Sequence, residues 1–344
     1  MELRRLDKDA LPAFIDHLIG IYPVIGAKEK EPDKYVFDLL KRGSEFASDY
    51  ISSLLPPKKA MNPPKETLLR FTMDGNAEPV VEAQDQILFG VRPCDLHAIQ
   101  LLDRIFEEGH PDAYYQEKRA RTWIVGFDCM DPCDDECFCI DVGTLEAESG
   151  FDLLLTDLGN EVAITIGSDR GKALLKGFEV KESGEYDWAR LKAAREDRLK
   201  AFPRKFKTGV YNLPLLFRSA YKSPVWEENG KRCLGCGSCT IVCPTCYCFD
   251  VQDDIALDLR HGERARRWDS CQLDDFAKVA GGHNFRAEKA DRVRHRLNRK
   301  FLYLMNKYRE PACVGCGRCG RVCLAKIKPV NIVNDLVAES MKEA

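Results

Sequence analysis

Cys233-Leu234-Gly235-Cys236-Gly237-Ser238-Cys239-Thr240-Ile241-Val242-Cys243-Pro244 returns about seventy residues later as Cys313-Val314-Gly315-Cys316-Gly317-Arg318-Cys319-Gly320-Arg321-Val322-Cys323-Leu324. Both copies space three cysteines three residues apart and place a fourth four residues on. One short loop can then reach three corners of an iron–sulfur cube. Gly235, Gly237, Gly315 and Gly317 are expected at positive φ, where only glycine bends without strain. In paired motifs of this kind the fourth cysteine serves the other cluster. The first 4Fe–4S cluster would take Cys233, Cys236, Cys239 and Cys323, and the second Cys313, Cys316, Cys319 and Cys243. Zinc ordinarily uses two separated cysteine pairs, which this rhythm does not provide. Gly315-x-Gly317-x-x-Gly320 matches a dinucleotide fingerprint by letter, but it lies inside the cysteine loop and follows no strand, so it is set aside.

Outward from the repeat, the chain has 344 residues, enough for two domains, with 44% apolar and 31% charged residues. That balance excludes disorder and collagen-like repetition. The net charge of −3 gives no global field toward nucleic acid or an anionic membrane. No apolar stretch approaches the ~20 residues of a membrane span, and no apolar leader is visible after Met1-Glu2-Leu3-Arg4-Arg5. Sixteen cysteines, many two or three residues apart, suit metal thiolates in a reducing cytoplasm better than a disulfide scaffold.

Residues 1–224 read as an α/β domain. Leu11, Phe14, Ile15 and Leu18 have helical spacing, as do Trp188, Leu191, Leu199 and Phe202. Thr67–Phe71, Gln86–Val91, Thr122–Phe127 and Val162–Ile166 read as strands. Pro56-Pro57 and Pro63-Pro64 bracket a loop, and Asn229-Gly230 signals a turn near the boundary. Cys94 follows the strand Gln86–Arg92 and opens a helix, a position that favours a thiolate. Cys129 follows a second strand, with Cys137 and Cys139 on the loop beyond. Neighbouring strand ends of an α/β sheet are where such folds hold ligands. A third cluster on Cys94, Cys129, Cys137 and Cys139 is therefore expected, with zinc or a redox disulfide as alternatives. Cys133 is set aside because Asp131, Asp134, Asp135 and Glu136 would disfavour another thiolate. Cys246, Cys248 and Cys271 are taken as packing residues.

Residues 225–344 form the second domain, with an insertion over 249–311 between the motifs. Val293, Leu297, Phe301 and Leu304 make a core-facing helical stripe. Arg286, Lys289, Arg292, Arg294, Arg296, Arg299 and Lys300 form a basic stretch with no nucleic-acid reader motif around it. Its cations suit support of an anionic cluster, partner docking or a solvated face. No nucleophile–base pair stands out among the scattered histidines, and His283 is a candidate only for adjusting a cluster or touching a partner.

Gly90-Val91-Arg92-Pro93-Cys94-Asp95, Cys137-Phe138-Cys139, Cys243-Pro244-Thr245-Cys246-Tyr247-Cys248-Phe249, Trp268-Asp269-Ser270-Cys271 and Ala280-Gly281-Gly282-His283-Asn284 resemble one family. It is the iron–sulfur β subunit of cytoplasmic sulfhydrogenases, similar to the A-type subunit of anaerobic sulfite reductase. Related subunits accompany flavin oxidoreductases linked to heterodisulfide reductase. The resemblance implies an electron-transfer subunit. On one side it would meet a flavin-containing NAD(P)H oxidoreductase subunit, and on the other a hydrogenase, sulfite reductase or heterodisulfide reductase. A flavin-binding catalytic subunit, similar to the β subunit of deazaflavin-reducing hydrogenases, is the alternative; no convincing flavin-phosphate loop supports it. The expected architecture is an N-terminal α/β domain followed by an α+β two-cluster ferredoxin-like domain, with a long helical insertion between the cluster motifs.

Overall fold

The computed structural model describes residues 2–343. Its strands begin with β1 (Glu2–Asp7), β2 (Val24–Glu31), β3 (Lys34–Leu39), β4 (Lys65–Thr72), β5 (Ala77–Pro79) and β6 (Gln86–Val91). They continue with β7 (Thr122–Phe127), β8 (Leu153–Asp157), β9 (Glu161–Ile166), β10 (Lys181–Glu182), β11 (Phe249–Ile255) and β12 (His261–Trp268). The chain divides into two compact units that do not follow each other simply along the sequence. One comprises residues 1–62 and 82–203, the other 63–81 and 204–344.

The first unit is built on an eight-stranded sheet of order β10-β1-β9-β8-β7-β6-β2-β3. The pairs β2–β6, β6–β7 and β7–β8 are parallel, and the flanking pairs are antiparallel. Every residue of β6, Gln-Ile-Leu-Phe-Gly-Val, is buried, as expected of a parallel strand covered on both faces. Leu88, Phe89, Val125, Leu153 and Leu155 are fully buried at this centre. The helix Pro93–Glu107 leaves β6 and turns Leu96, Ile99 and Leu102 into the core. Phe14, Ile15 and Leu18 of the helix Leu11–Ile19 are likewise buried. In the other anticipated helix, Glu185–Arg198, Leu191 is buried, whereas Trp188 is exposed.

Between Phe89 and Val91 the register of β6 against β7 slips by one residue. Gly90 occupies the bulge at φ +82°, and a Cβ there would lie 2.5 Å from the Phe46 ring. Bulges re-aim the chain beyond them, and the residues re-aimed by this one are Arg92, Pro93 and Cys94.

The second unit carries a four-stranded antiparallel sheet of order β11-β12-β4-β5. The anticipated strand at Thr67–Phe71 therefore pairs with residues almost two hundred positions away, and the chain changes unit near Pro63, returns near Glu82 and changes again near Arg204. The insertion is also not helical throughout: it opens with the β11–β12 hairpin, and its helical part begins at Lys289. Exposed cross-strand pairs such as Arg264–Asp253 and Arg267–Asp254 hold that hairpin. Asn229-Gly230, expected as a turn, lies inside the helix Pro224–Arg232. Gly230 is needed there for close approach, since a Cβ would sit 2.6 Å from the Ala290 amide nitrogen. The stripe Val293, Leu297, Phe301 and Leu304 is core, as its spacing suggests, and passes through a π-helical turn at Arg299–Tyr303.

Glu66 of β4 and Arg266 of β12 form a buried ion pair, with Nη2 donating to Oε2 at 2.6 Å. Removing one partner strands the other charge in the interior. Glu66→Ala is expected to cost about 3–5 kcal/mol, read from the denaturation midpoint of the second unit. Lys278→Ala, which breaks the exposed pair with Asp275 in the same unit, should shift it by less than about 0.5 kcal/mol.

Candidate metal centres

The two cysteine loops of the second unit fold alike. Gly235 and Gly237 have φ of 69° and 76°, and Gly315 and Gly317 have 63° and 74°. All four glycines expected in the left-handed region lie there. Gly237 caps the short helix Ser238–Ile241, and Gly317 caps Arg318–Val322. These two helices pack on each other. The Gly235 amide donates to Cys233 Sγ at 3.4 Å, and the Ile327 amide to Cys323 Sγ at 3.3 Å. Cys243 and Cys323 sit just past the ends of their short helices, not at the start of a following helix.

Cys233, Cys236, Cys239 and Cys323 line one cavity together with Leu234, Gln272, Val293, Arg296 and Leu324. Cys323 thus comes from the opposite copy of the repeat. A second group forms around Cys313, whose thiol is pushed up by burial and by the charges of Cys319, Cys243 and Cys316. Thr245 ties the copies together, its hydroxyl donating to the Ala312 carbonyl at 2.7 Å. Among the described residues, no three His, Cys, Asp or Glu side chains converge as ligands of a single ion would. A four-iron cube spreads its sulfur ligands wider than one ion does.

Two cations are buried between these groups. Burial disfavours the charge on Arg296, but Cys239, Cys319, Cys243 and Cys246 outweigh it and hold the guanidinium protonated. Arg296 Nη2 also donates to the Cys239 carbonyl at 3.5 Å. Lys300 is held charged against burial by Cys243, Cys246 and Cys313, and its ammonium donates to the Thr245 hydroxyl and carbonyl at 2.7 and 3.1 Å. In return, Cys243 is drawn well below the usual thiol range by the Cys246 thiol, with Lys300 and Arg296 adding to it. Cys239 is pushed up to about 12 by burial, against the Arg296 charge. The basic stretch in the sequence therefore turns Arg292, Arg296 and Lys300 inward.

In the first unit, Cys94 stands in the first turn after β6, and Cys129 follows β7 at the same C-terminal edge of the parallel strands. Cys137 and Cys139 are buried on the next loop. The Cys139 thiol is raised by a hydrogen bond with Cys137, by burial and by the charges of Cys94 and Cys129, so these four side chains are neighbours. Cys133, set aside on charge grounds, joins them. It is hydrogen-bonded to Cys129, is raised further by burial and by Cys137, and donates to the Ile51 carbonyl at 3.2 Å. Cys133 is thus held as a neutral thiol, well above the usual thiol range, and the buried Arg92 opposes that only in part. Its guanidinium donates to the carbonyls of Asp128 (2.9 Å), Tyr50 (2.5 Å) and Ser48 (3.4 Å) and stacks 4.3 Å from the Tyr50 ring.

Cys246, Cys248 and Cys271 hydrogen-bond other cysteines. Cys246 bonds Cys243. Cys248 and Cys271 meet at the open end of the β11–β12 hairpin, where the Asp269 amide donates to the Cys248 carbonyl at 2.9 Å. The Cys271 thiol bond lowers Cys248 to about 7. Their positions flanking one hairpin could have been found only by recognising both strands.

A family model described as a 4Fe-4S dicluster domain matches residues 232–327, which contain both cysteine loops and the hairpin between them. The chain is 35% identical to sulfhydrogenase 2 subunit beta of Pyrococcus furiosus over 98% of its own length and 98% of that protein. It belongs to the sulfhydrogenase beta-subunit family and carries a 4Fe-4S dicluster domain.

Proposed function

We propose that this chain is the electron-transfer subunit of a multisubunit oxidoreductase. It passes single electrons from or to a flavin-containing NAD(P)H oxidoreductase subunit, with a hydrogenase, sulfite reductase or heterodisulfide reductase at the other end. The observation that carries this reading is the burial of Arg296 and Lys300 among the sulfurs of both motif loops. Neutral thiols cannot compensate two buried cations, whereas metal-bound thiolates can. The donor set thus fits two 4Fe–4S clusters, one on Cys233, Cys236, Cys239 and Cys323, the other on Cys313, Cys316, Cys319 and Cys243. A third would be held by Cys94, Cys129, Cys137 and Cys139, with Cys133 within reach of the same group.

Such clusters supply one-electron storage and exchange at low potential. The chain's own residues do the rest. The glycine loops bring backbone amides to the sulfurs, Arg296 and Lys300 set the local field, and Thr245 locks one loop to the other. A reducing, cytoplasmic setting accords with sixteen free cysteines.

Three outcomes test the reading. The full-length protein, reconstituted anaerobically, should bind about twelve iron atoms, and Cys94→Ser about eight, by the four-iron count per cluster. Equal iron in both removes the third cluster, and loss in Cys133→Ser alone reassigns its ligand.

Arg296→Gln should keep its iron but shift the lowest-energy reduction about 60 mV more negative, a tenfold change for one electron. Removing a cation makes an added electron harder to hold, so the sign is negative, and Arg296→Lys should restore most of the shift. An unchanged redox titration would end the assigned role of Arg296.

Purified alone, the chain should not oxidise NADH or NADPH, and addition of a flavin subunit should let pyridine nucleotide bleach its iron–sulfur absorption. Tightly bound flavin with direct nicotinamide oxidation would favour a catalytic subunit instead.

A further inference from the structure

The internal repeat provides its own control, because two loops of the same sequence pattern differ in what surrounds them. After the first cysteine, Val314 of the second copy is 3% exposed, whereas Leu234 of the first is 58% exposed. Beside the fourth cysteine, Pro244 is buried, whereas Leu324 is 82% exposed. Cys236 is exposed, and its counterpart Cys316 is half-buried. Leu273, also exposed, closes the third side, lying 3.5 Å from where a Gly237 Cβ would be. The sulfurs of the second group are all half-buried, whereas the first group, with Cys236 exposed, opens to solvent through a collar of three leucines. Exposed leucines concentrated at one opening mark a contact surface.

The collar has a charged rim. Lys231, Arg232 and Lys326 are exposed beside Leu234 and Leu324. Arg232 gives its hydrogen bonds to the Ala325 and Lys326 carbonyls, at 2.7 and 3.2 Å, and so fastens one loop to the other. Among the described residues no carboxylate pairs with these three cations. On the Leu273 side, Asp274 is bound by Arg292 and Asp275 by Lys278, so their charges are already answered.

We propose that this collar is the docking port for an acidic one-electron carrier protein. The inference rests on the relay function proposed for the chain and locates where one of its electrons crosses the protein surface. A second copy of the chain fits poorly, because a two-fold interface would set this patch against itself and bring Lys231, Arg232 and Lys326 face to face. Three leucines with a charged rim match the small, transient contacts of electron-transfer encounters rather than a large obligate interface. Cations at the rim steer an acidic partner, and the leucines exclude water at the point of closest approach. In the exchange the carrier loses one electron and the iron–sulfur group of Cys233, Cys236, Cys239 and Cys323 gains one. No bond forms or breaks.

The test uses the iron-loaded full-length protein and a chemically reduced acidic 2Fe–2S ferredoxin. Affinity is measured by calorimetry, and iron–sulfur bleaching by stopped flow. Leu324→Glu, Leu273→Glu and Lys326→Glu should each weaken binding and slow bleaching roughly tenfold, the effect of adding like charge to a steered contact. Binding to the wild type should weaken as salt rises from about 50 to about 300 mM, as the rim charges are screened. Leu257→Glu, at an exposed leucine on the hairpin turn, should change neither. Reduced methyl viologen, which needs no docking surface, should bleach Leu273→Glu, Lys326→Glu and Leu257→Glu at the wild-type rate. If viologen fails on the wild type, the relay function itself falls. If viologen works but the three collar variants bind ferredoxin as the wild type does, or basic cytochrome c binds as tightly as ferredoxin, the port is wrong. A concentration-dependent dimer abolished by Leu324→Glu would overturn it in favour of self-association.

Discussion

A buried positive charge must find a negative one, and in the second unit that requirement falls on Arg296 and Lys300. Both are nearly inaccessible, and the groups that hold them charged are sulfurs of Cys239, Cys319, Cys243, Cys246 and Cys313. Thiols supply the missing charge only as thiolates, and thiolates persist in a buried setting when bound to metal. The core stripe Val293–Leu304 carries these two cations on the same helical run. Apolar packing and charge compensation therefore fall on one helical run.

The first unit meets the same electrostatic demand with different architecture. Here the sulfurs come from the ends of β6 and β7 and from the loop beyond, not from a glycine-rich repeat. Arg92 plays the part of Arg296, lying under Cys94, Cys129 and Cys133. The Gly90 bulge delivers it: one extra residue in β6 re-aims the strand end, and the Tyr50 hydroxyl bonds the freed Gly90 carbonyl.

Features controlled by a few adjacent residues are legible in the sequence. The cysteine rhythm, the four positive-φ glycines and the buried strands β6 and β7 all depend on local pattern. The features that stay hidden depend on partners distant in sequence. β11 is exposed along its whole length and offers no buried face to mark it; ion pairs such as Arg264–Asp253 and Arg267–Asp254 join it to β12. β4 is recognisable as a strand, but nothing near it names β12 as its neighbour. Gly230 resembles a turn residue because its reason, the backbone at Ala290, lies sixty residues away. The acidic neighbours of Cys133 argue against a thiolate there in the sequence, whereas in the folded chain it is Cys129 and burial, signals remote from that acidic run, that hold its thiol up.

Leu324 stands where the first copy of the repeat has Pro244, and the difference has a physical sense. Proline beside the fourth cysteine stiffens the turn and buries it, as Pro244 does. A leucine there leaves 82% of its surface in water, which burial at about 25 cal/mol per Å² would favour covering. Two loops constrained to the same cysteine and glycine positions can differ only in the residues between them. In this chain Leu234 against Val314, and Leu324 against Pro244 just past the fourth cysteine, leave one copy of the motif more open to solvent than the other. Electrons need such an asymmetry to leave an insulated interior at one place rather than anywhere.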